Sequence, residues 1–266
     1  THCISSAASD VYKRQVCLVS CYVLSRIGGV TMIRFWGQSK FSVDPLKPVG
    51  CELFLREKIG DSWVLPDDFA QFPPQQIADL LLQTIPVLSK DLKNVSINLD
   101  PEQFIDPEFC AVLSEVKNQL LPVTLEVELT EHDSKFPVNS SEIQTAAKHF
   151  FEAGIDLIMD DVGSGSNQID RTLLLNPYIS EYKFAIQNFR KTRSLTSIIH
   201  SLSFWCELAA KNNKLFTVEG VESKTDLQLL INYRVNLLQG FGLARPVFLP
   251  IQAERSRRAV LPFTQK

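Results

Sequence analysis

The stretch LEVELTE, residues 125–131, alternates apolar and acidic side chains. A period of two residues is typical of a β-strand whose two faces meet different surroundings. Carboxylates such as those of Glu128 and Glu131 are costly to place beside buried strands unless something compensates their charge, and divalent cations are the usual compensation. The stretch therefore predicts a strand that carries acids toward a cation site.

Six other strand-like runs end in a similar way. They are CELFLR (51–56) with Glu52, VSINL (95–99) with Asn98, DLIMDD (156–161) with Asp160 and Asp161, EYKFA (181–185) with Lys183, LFTVEGVE (215–222) with Glu219 and Glu222, and LLQG (237–240) with Gln239. In an α/β barrel the carboxyl ends of the strands meet at one mouth. Such a barrel would bring these side chains into a single site.

Helix-like segments separate the strand-like runs. Residues 73–92, for example, place Ile77, Leu80 and Leu81 at helical spacing after a pair of prolines. Repeated strand-then-helix order favours a parallel sheet covered by helices. About eight such strands, in a chain of 266 residues, predict the fold class α/β, a modified (β/α)8 TIM barrel, rather than an open doubly wound sheet.

Composition excludes several classes of function. A formal net charge of -3 argues against broad binding to a nucleic-acid polymer or an anionic membrane. No stretch approaches the ~20 apolar residues of a spanning helix, and no glycine-rich phosphate loop follows any strand. The six cysteines lack CxxC spacing and are interpreted as buried thiols of a reducing compartment, which predicts a cytoplasmic protein.

The domain prediction divides the chain into three parts. Residues 1–31 are expected to be a non-native or disordered head, because SSAASDVYKRQ is similar to translated sequencing-adapter sequence. An export signal is the alternative interpretation of this head. Residues 32–254 are predicted to form one catalytic domain, and residues 255–266 a short tail.

Taken together, the motifs resemble the EAL domain family of cyclic di-GMP phosphodiesterases. The matching motifs are Glu52-Leu53-Phe54-Leu55-Arg56, Ser96-Ile97-Asn98-Leu99, Glu128-Leu129-Thr130-Glu131, Asp160-Asp161-Val162-Gly163-Ser164-Gly165-Ser166, Glu219-Gly220-Val221-Glu222 and Gln239-Gly240-Phe241. They follow the family's order over roughly residues 33–250. The resemblance is to a stand-alone EAL protein or to a fragment of a longer one.

The resemblance implies hydrolysis of cyclic di-GMP to linear pGpG with two Mg²⁺ or Mn²⁺ ions, and inhibition by Ca²⁺. By the family's pattern Glu52, Asn98, Glu128 and Asp160 hold one ion, and Asp160, Asp161 and Glu219 hold the other. Lys183, Glu219 and Glu52 are the implied catalytic residues, and Gln38, Arg56 and Gln239 the implied substrate contacts. Glu131 and Glu222 are implied anchors behind the ligands, with Glu131 holding the loop 162–167. The resemblance also implies a homodimer.

Some positions depart from the family's pattern. Ser39-Lys40 follow Gln38 where the family has Pro-Ile, Val162 replaces a Phe after the paired aspartates, and Ala185 and Asn236 replace aspartates. An inactive EAL domain that acts as a cyclic di-GMP receptor or protein-interaction module is therefore the alternative function. Another metal phosphodiesterase is a third. His132, His149 and His200 do not join the pattern and are predicted to have surface or packing roles.

Overall fold

The computed structural model describes residues 31–132, 136–190, 195–230 and 232–255. Within these residues the strands are β1 Ile33–Ser42, β2 Lys47–Ile59, β3 Ser62–Val64, β4 Asn94–Leu99, β5 Thr124–Leu129, β6 Asp156–Met159, β7 Ile179–Ala185, β8 Leu215–Glu219, β9 Leu237–Leu238 and β10 Val247–Phe248. The helices are α1 Pro74–Thr84, α2 Pro101–Ile105, α3 Pro107–Gln119, α4 Ser140–Glu152, α5 Ile169–Leu175, α6 Ile186–Arg190, α7 Leu195–Lys211, α8 Lys224–Leu230 and α9 Gln252–Arg255. Short 3-10 turns cover Phe69–Gln71 and Ile85–Val87.

The sheet closes on itself, which confirms the predicted barrel. Strand β1 is hydrogen-bonded to β2 on one side and to β9 on the other, and β4 to β8 complete the ring in sequence order. Strands β3 and β10 extend this ring at β2 and β1. The fold is a TIM-like α/β barrel of eight strands with helices around it.

The first strand is the exception to the predicted parallel sheet, since β1 runs antiparallel to both β2 and β9. Only residues 43–46 separate β1 from β2, and a parallel neighbour would need a crossover of a dozen or more residues. The reversal carries the early part of β1 to the mouth of the barrel. Gln38 consequently lies opposite Glu52 in the register.

Capping residues in the sequence set the boundaries of these helices, as expected. The side chain of Asn139 accepts a hydrogen bond from the Glu142 N–H, and Glu142 returns one to the Asn139 N–H, which starts α4 with a capping box. Gly154 follows this helix with φ +68°, as predicted for a C-terminal glycine. Pro74 occupies the first position of α1, where its missing N–H is not needed.

Side chains on both faces of the barrel strands are buried. Alternate residues along a strand therefore belong to two different cores, one between the strands and the helices and one inside the barrel. In β5 the residues Leu125, Val127 and Leu129 belong to the apolar core shared with the helices, whereas Glu126 and Glu128 point into the barrel. The interior of the barrel is therefore polar at positions where acids alternate with apolar residues along a strand.

The predicted head and tail lie outside the described residues, except for residues 31 and 255. Among the described helices, none has both the length and the apolar character needed to cross a membrane.

Candidate metal centre

The ammonium group of Lys183 lies at the centre of the barrel mouth. Its Nζ is 3.1 Å from Glu52 Oε2, 2.5 Å from Glu128 Oε2 and 3.1 Å from Asp160 Oδ1. It also contacts Glu219 Oε1. Four strands thus deliver four carboxylates to one lysine, which brings together most of the side chains that the sequence singled out.

Lys183 is not at a strand end, which corrects one expectation. It pairs with Thr217 in the register of β7 and β8, two residues before Ala185 reaches Glu219. Only 1% of its side chain is exposed. Lys183 therefore rises from inside the barrel, because the side chain at a mid-strand position of a barrel can point only inward or outward.

Glu52 also lies within its strand, since β2 continues beyond its pairing with β4 to Ile59 and into a hairpin with β3. The Asn98 Nδ2 donates to Glu52 Oε1 at 2.7 Å, and Asn98 lies beside Glu128 in the register of β4 and β5. Glu52, Asn98 and Glu128 hence form one wall of the centre on adjacent strands.

Asp160, Asp161 and Glu219 form the opposite wall. Each offers an oxygen that lies within 4.8 Å of the oxygens of the other two. Asp161 has φ +45°, a left-handed conformation that Asp tolerates better than most residues. Asn188, in α6, donates to Asp161 Oδ2 at 2.6 Å, while Asp161 Oδ1 is buried and accepts no hydrogen bond from the described residues.

Burial and mutual repulsion disturb the titration of these acids. Burial and the neighbouring carboxylates raise the pKa of Glu219 to about 8 and that of Asp160 to about 6, despite the charge of Lys183. They also raise the pKa of Asp161 and of Glu52. When all of them are ionised, these carboxylates carry more negative charge than the single charge of Lys183 compensates.

Glu128 behaves differently. Burial raises the pKa of this carboxyl, but the charges of Lys183 and Lys40 outweigh burial and lower the pKa to about 2. The same acids hold Lys183 in its charged form: although burial lowers its pKa, Asp160, Glu128, Glu219 and Glu52 raise that pKa well above the usual value.

The donor set fits divalent cations with hard oxygen ligands. Five carboxylates and one lysine leave four negative charges when all are ionised, which equals the charge of two divalent ions. Carboxylate and amide oxygens are the ligands that Mg²⁺ and Mn²⁺ prefer. The five acids are Glu52, Glu128, Asp160, Asp161 and Glu219, and Asn98 supplies the amide.

The implied substrate residues line the same mouth. Gln239 Nε2 donates to Glu52 Oε2 at 2.8 Å and to Gln38 Oε1 at 3.2 Å, and Gln38 Nε2 donates to the Ala244 carbonyl at 2.9 Å. Arg56 is half-buried on the same face of β2 as Glu52, four residues further up the strand. The structure thus places Gln239 beside Glu52 and Gln38, with Arg56 on the same face of β2 as Glu52.

The loop 162–167 is held mainly through the backbone. The Ser166 N–H donates to the Glu131 carbonyl oxygen at 2.9 Å, and a Cβ at Gly165 would come within 2.3 Å of that same oxygen. The Glu131 carboxylate lies 3.8 Å from His132 Nε2. Glu131 therefore contacts the loop through its carbonyl oxygen.

Glu222 lies at the surface beyond the mouth. Its N–H donates to Asp226 Oδ2 at 2.9 Å. Gly220, two residues earlier, has φ +71°, and a Cβ there would approach Gln187 Oε1 to 1.8 Å. The glycine of this motif therefore lets the chain leave β8 tightly against the start of α6.

Sequence reasoning missed Asn167, which is fully buried. Its Nδ2 donates to the Asp160 carbonyl at 2.5 Å and to the Leu129 carbonyl at 3.1 Å. Asn167 hence ties the loop to two strand ends of the metal centre. Asn167 and Asn188 were both missed because an asparagine in a loop or a helix follows no periodic pattern that would mark it.

His132 has the predicted surface location, with 57% of its side chain exposed, but it is paired. Its Nδ1 lies 2.9 Å from Asp100 Oδ1, which also accepts from the Thr130 hydroxyl at 2.9 Å. The contact with Asp100 raises the pKa of His132 to about 9. Asp100, Thr130 and His132 thus link the ends of β4 and β5 beside the site.

Three further charged side chains, those of Lys40, Glu126 and Glu181, are buried inside the barrel, below the metal centre. Each stands two residues along a strand from a residue that the sequence did single out: Gln38, Glu128 and Lys183. Alternation with period two was the signal that could have found them.

Comparisons with known proteins identify the family of this chain. The sequence profile of the EAL domain family, described as "EAL domain", matches residues 38–246. The protein named "Probable cyclic di-GMP phosphodiesterase PdeN" of Escherichia coli is 23% identical over 220 residues, which are 76% of this chain and 41% of PdeN. "Signaling protein YkoW" of Bacillus subtilis is 28% identical over 164 residues, 58% of this chain and 19% of YkoW. The chain thus spans well under half the length of these curated relatives.

Solved structures share the fold. The PaMucR phosphodiesterase in complex with c-di-GMP aligns with a TM-score of 0.62 and 22% identity over 81% of this chain and 97% of its own. The YkuI protein of Bacillus subtilis, in complex with c-di-GMP and calcium, gives 0.63 and 21% over 85% of this chain and 58% of its own. The fold, the converging acids and the profile match over most of the sequence lead to one conclusion: the chain belongs to the EAL domain family.

Proposed function

We propose that this protein hydrolyses cyclic di-GMP to linear pGpG in a reaction that requires Mg²⁺ or Mn²⁺. The observation that carries the proposal is the convergence of five carboxylates and Lys183 at one partly open mouth. Asp160 and Glu219 retain 14% and 15% exposure there, which gives a substrate access to otherwise buried acids.

Each wall of the centre supports one metal site of the proposed pair. Glu52, Asn98, Glu128 and Asp160 supply the donors for one ion, and Asp160, Asp161 and Glu219 supply those for the other. When bound, such ions lower the pKa of a coordinated water and neutralise the charge of a phosphodiester.

The remaining roles belong to residues of this chain. Lys183 stays charged among its four acids and orients Glu52, Glu128 and Glu219 with its three N–H donors. One of these donors would turn to a water or a phosphate oxygen when a metal ion takes up its carboxylate. With Glu52 and Glu219, Lys183 forms the proposed catalytic group. Arg56 on β2 is proposed to bind a phosphate, and Gln38 and Gln239 to contact the nucleotide.

Hydrolysis is tested by incubating the purified protein with cyclic di-GMP and Mg²⁺ or Mn²⁺, followed by chromatography of the nucleotides. We expect linear pGpG with the wild-type chain, no product with Ca²⁺, and loss of product with Asp160→Asn. This variant keeps the size of the side chain and removes one metal-ligand charge. Intact cyclic di-GMP after incubation with the wild-type chain at micromolar concentration would contradict the proposal.

A receptor without turnover is the second candidate function. It is favoured by the changes at Ser39 and Val162, since Val162 begins the loop and donates its N–H to the Lys183 carbonyl at 2.9 Å. Calorimetry separates the two candidates. Tight binding of cyclic di-GMP without hydrolysis at any metal concentration would support the receptor, whereas turnover would exclude it.

The assembly and location follow from the same proposal. We propose a homodimer located in the cytoplasm, as the resemblance to the family implies. Light scattering of the purified chain tests the dimer, and a mass of one chain at micromolar concentration would contradict it.

A further inference from the structure

The barrel holds a second buried lysine beneath the metal centre. Lys40 has no exposed surface, and its Nζ lies 3.2 Å from Glu126 Oε2, 3.4 Å from Glu128 Oε1 and 3.8 Å from Glu181 Oε1. The other oxygen of Glu128, Oε2, contacts Lys183 at 2.5 Å. The two oxygens of one proposed metal ligand therefore face two different ammonium groups.

The surroundings of Lys40 hold it in place. Asn94 Nδ2 donates to Glu126 Oε1 at 2.6 Å, and the Thr217 hydroxyl donates to Glu181 Oε1 at 2.6 Å. Both acids thus have a partner of their own besides Lys40. This lower cluster, made of Lys40, Glu126, Glu181, Asn94 and Thr217, forms a fixed floor under Glu128.

We propose that Lys40 is a positioning residue that fixes the orientation of Glu128, and thereby favours Mg²⁺ or Mn²⁺ over Ca²⁺. This inference rests on the proposed metal dependence. The ion pair of Lys40 with Oε1, at 3.4 Å, and the contact of Lys183 with Oε2 hold the two ends of this carboxylate and limit its rotation. Mg²⁺ requires six ligands in near-ideal octahedral geometry, whereas Ca²⁺ takes six to eight oxygens in flexible geometry.

The position of Lys40 makes it distinctive. It stands where the family's pattern has an apolar Ile, so the floor of this barrel gains a charge that the family motif does not include. The charge contacts one proposed ligand and none of the others: Glu52, Asp160 and Glu219 contact Lys183 instead. A change at Lys40 should consequently act through Glu128.

The test is Lys40→Met, studied by calorimetric titration with Mg²⁺, Mn²⁺ and Ca²⁺ in the absence of nucleotide. Because Glu128 loses a partner that orients it, we expect the affinity for Mg²⁺ and Mn²⁺ to fall roughly tenfold. The affinity for Ca²⁺ is retained, since Ca²⁺ tolerates a less well oriented ligand. An equal change for all three ions, or no change, would overturn the inference.

Two further variants guard against loss of the fold. Lys40→Met combined with Glu126→Gln and Glu181→Gln removes the uncompensated acids and should show the same shift toward Ca²⁺. Glu126→Gln with Glu181→Gln keeps Lys40 beside Glu128 and should keep wild-type selectivity. Wild-type selectivity in the triple variant would refute the role of Lys40. If the wild-type chain binds none of the three ions, the proposed function itself fails, which is a separate result.

Discussion

The mouth and the floor of the barrel each surround a buried lysine with acids, yet their charge balance differs. At the mouth, four carboxylates contact Lys183 and a fifth, that of Asp161, lies beside them. Several of these acids have raised pKa values. At the floor, Lys40 has two acids of its own, each hydrogen-bonded to a neutral donor, and shares a third, Glu128. An excess of partly open carboxylates marks a cation site, whereas a closed, nearly balanced cluster marks structural support.

The difference is also one of access. Every charged member of the floor is at most 8% exposed, while Asp160 and Glu219 at the mouth reach 14% and 15%. Of these two described clusters, the mouth is the one that is open to solvent. We therefore expect changes at the mouth to affect turnover first and changes at the floor to affect stability first.

The largest effect is expected at the mouth, for Lys183→Met. Loss of the charged donor at the reacting site should lower kcat by about 10³-fold, the upper end of the range for removing one electrostatic donor from an active site. Steady-state hydrolysis of cyclic di-GMP measures it. The control is Lys148→Met on the exposed side of α4, whose ammonium lies 3.6 Å from Glu152. Wild-type kcat in Lys183→Met would remove this lysine from the mechanism.

At the floor, Lys40→Met should lower the free energy of unfolding by about 3 kcal/mol, because Glu126 and Glu181 lose their buried counter-charge. Denaturant titration of the metal-free chain measures this loss. Lys117→Met is the matched control. Its ammonium donates to the carbonyls of Ala153 and Gly154 near the surface, so a smaller effect is expected. Equal losses in the two variants would show that the floor charge is not special.

An intermediate effect concerns pH. The folded-state pKa of Asp160 is raised to about 6 and that of Glu219 to about 8. An acid with a raised folded pKa binds its proton more tightly when folded, so its contribution to stability is present at low pH and lost as pH rises from about 4 to about 8. A divalent ion must displace such protons, and its affinity should therefore increase from about pH 6 to pH 8 by up to about tenfold per pH unit for each proton displaced.

Calorimetry of Mn²⁺ binding in two buffers of different ionisation enthalpy counts the protons released. Glu126 at the floor also has a raised pKa, about 7, caused first by burial. Because it lies below the centre, Glu126→Gln should leave the proton release unchanged. A pH-independent Mn²⁺ affinity, or a release that depends on Glu126, would break the distinction between mouth and floor.

The smallest effect is expected for Thr217→Val at the floor. It removes the 2.6 Å hydrogen bond to Glu181 and should lower the free energy of unfolding by about 1 kcal/mol. The value of kcat should stay within about twofold of the wild type. Thr145→Val on α4, whose hydroxyl bonds the Ser141 carbonyl at the surface, is the control. A larger loss of kcat than of stability would place Thr217 in the active site.

Much of the fold was predictable because alternation and helical spacing report which side of each element is buried. The closed barrel, the acids that β2, β5, β6 and β8 bring to the mouth, and the helix α4 with its glycine end were predicted and are observed. The reversed direction of β1 was not, since its hydrophobic pattern is the same in either direction. The short connection at 43–46 was the available clue.

The sequence by itself determined the kinds of groups that meet at the mouth, because strand ends in a barrel converge whatever the details of packing. The tertiary structure decided the contacts among these groups. Lys183 reaches the acids from inside the barrel, and Lys40 reaches Glu128 from beneath. Asn167 and Asn188 hold the loop that follows the paired aspartates. These contacts join residues far apart in the chain. Their distances depend on register and strand tilt, which local sequence does not specify.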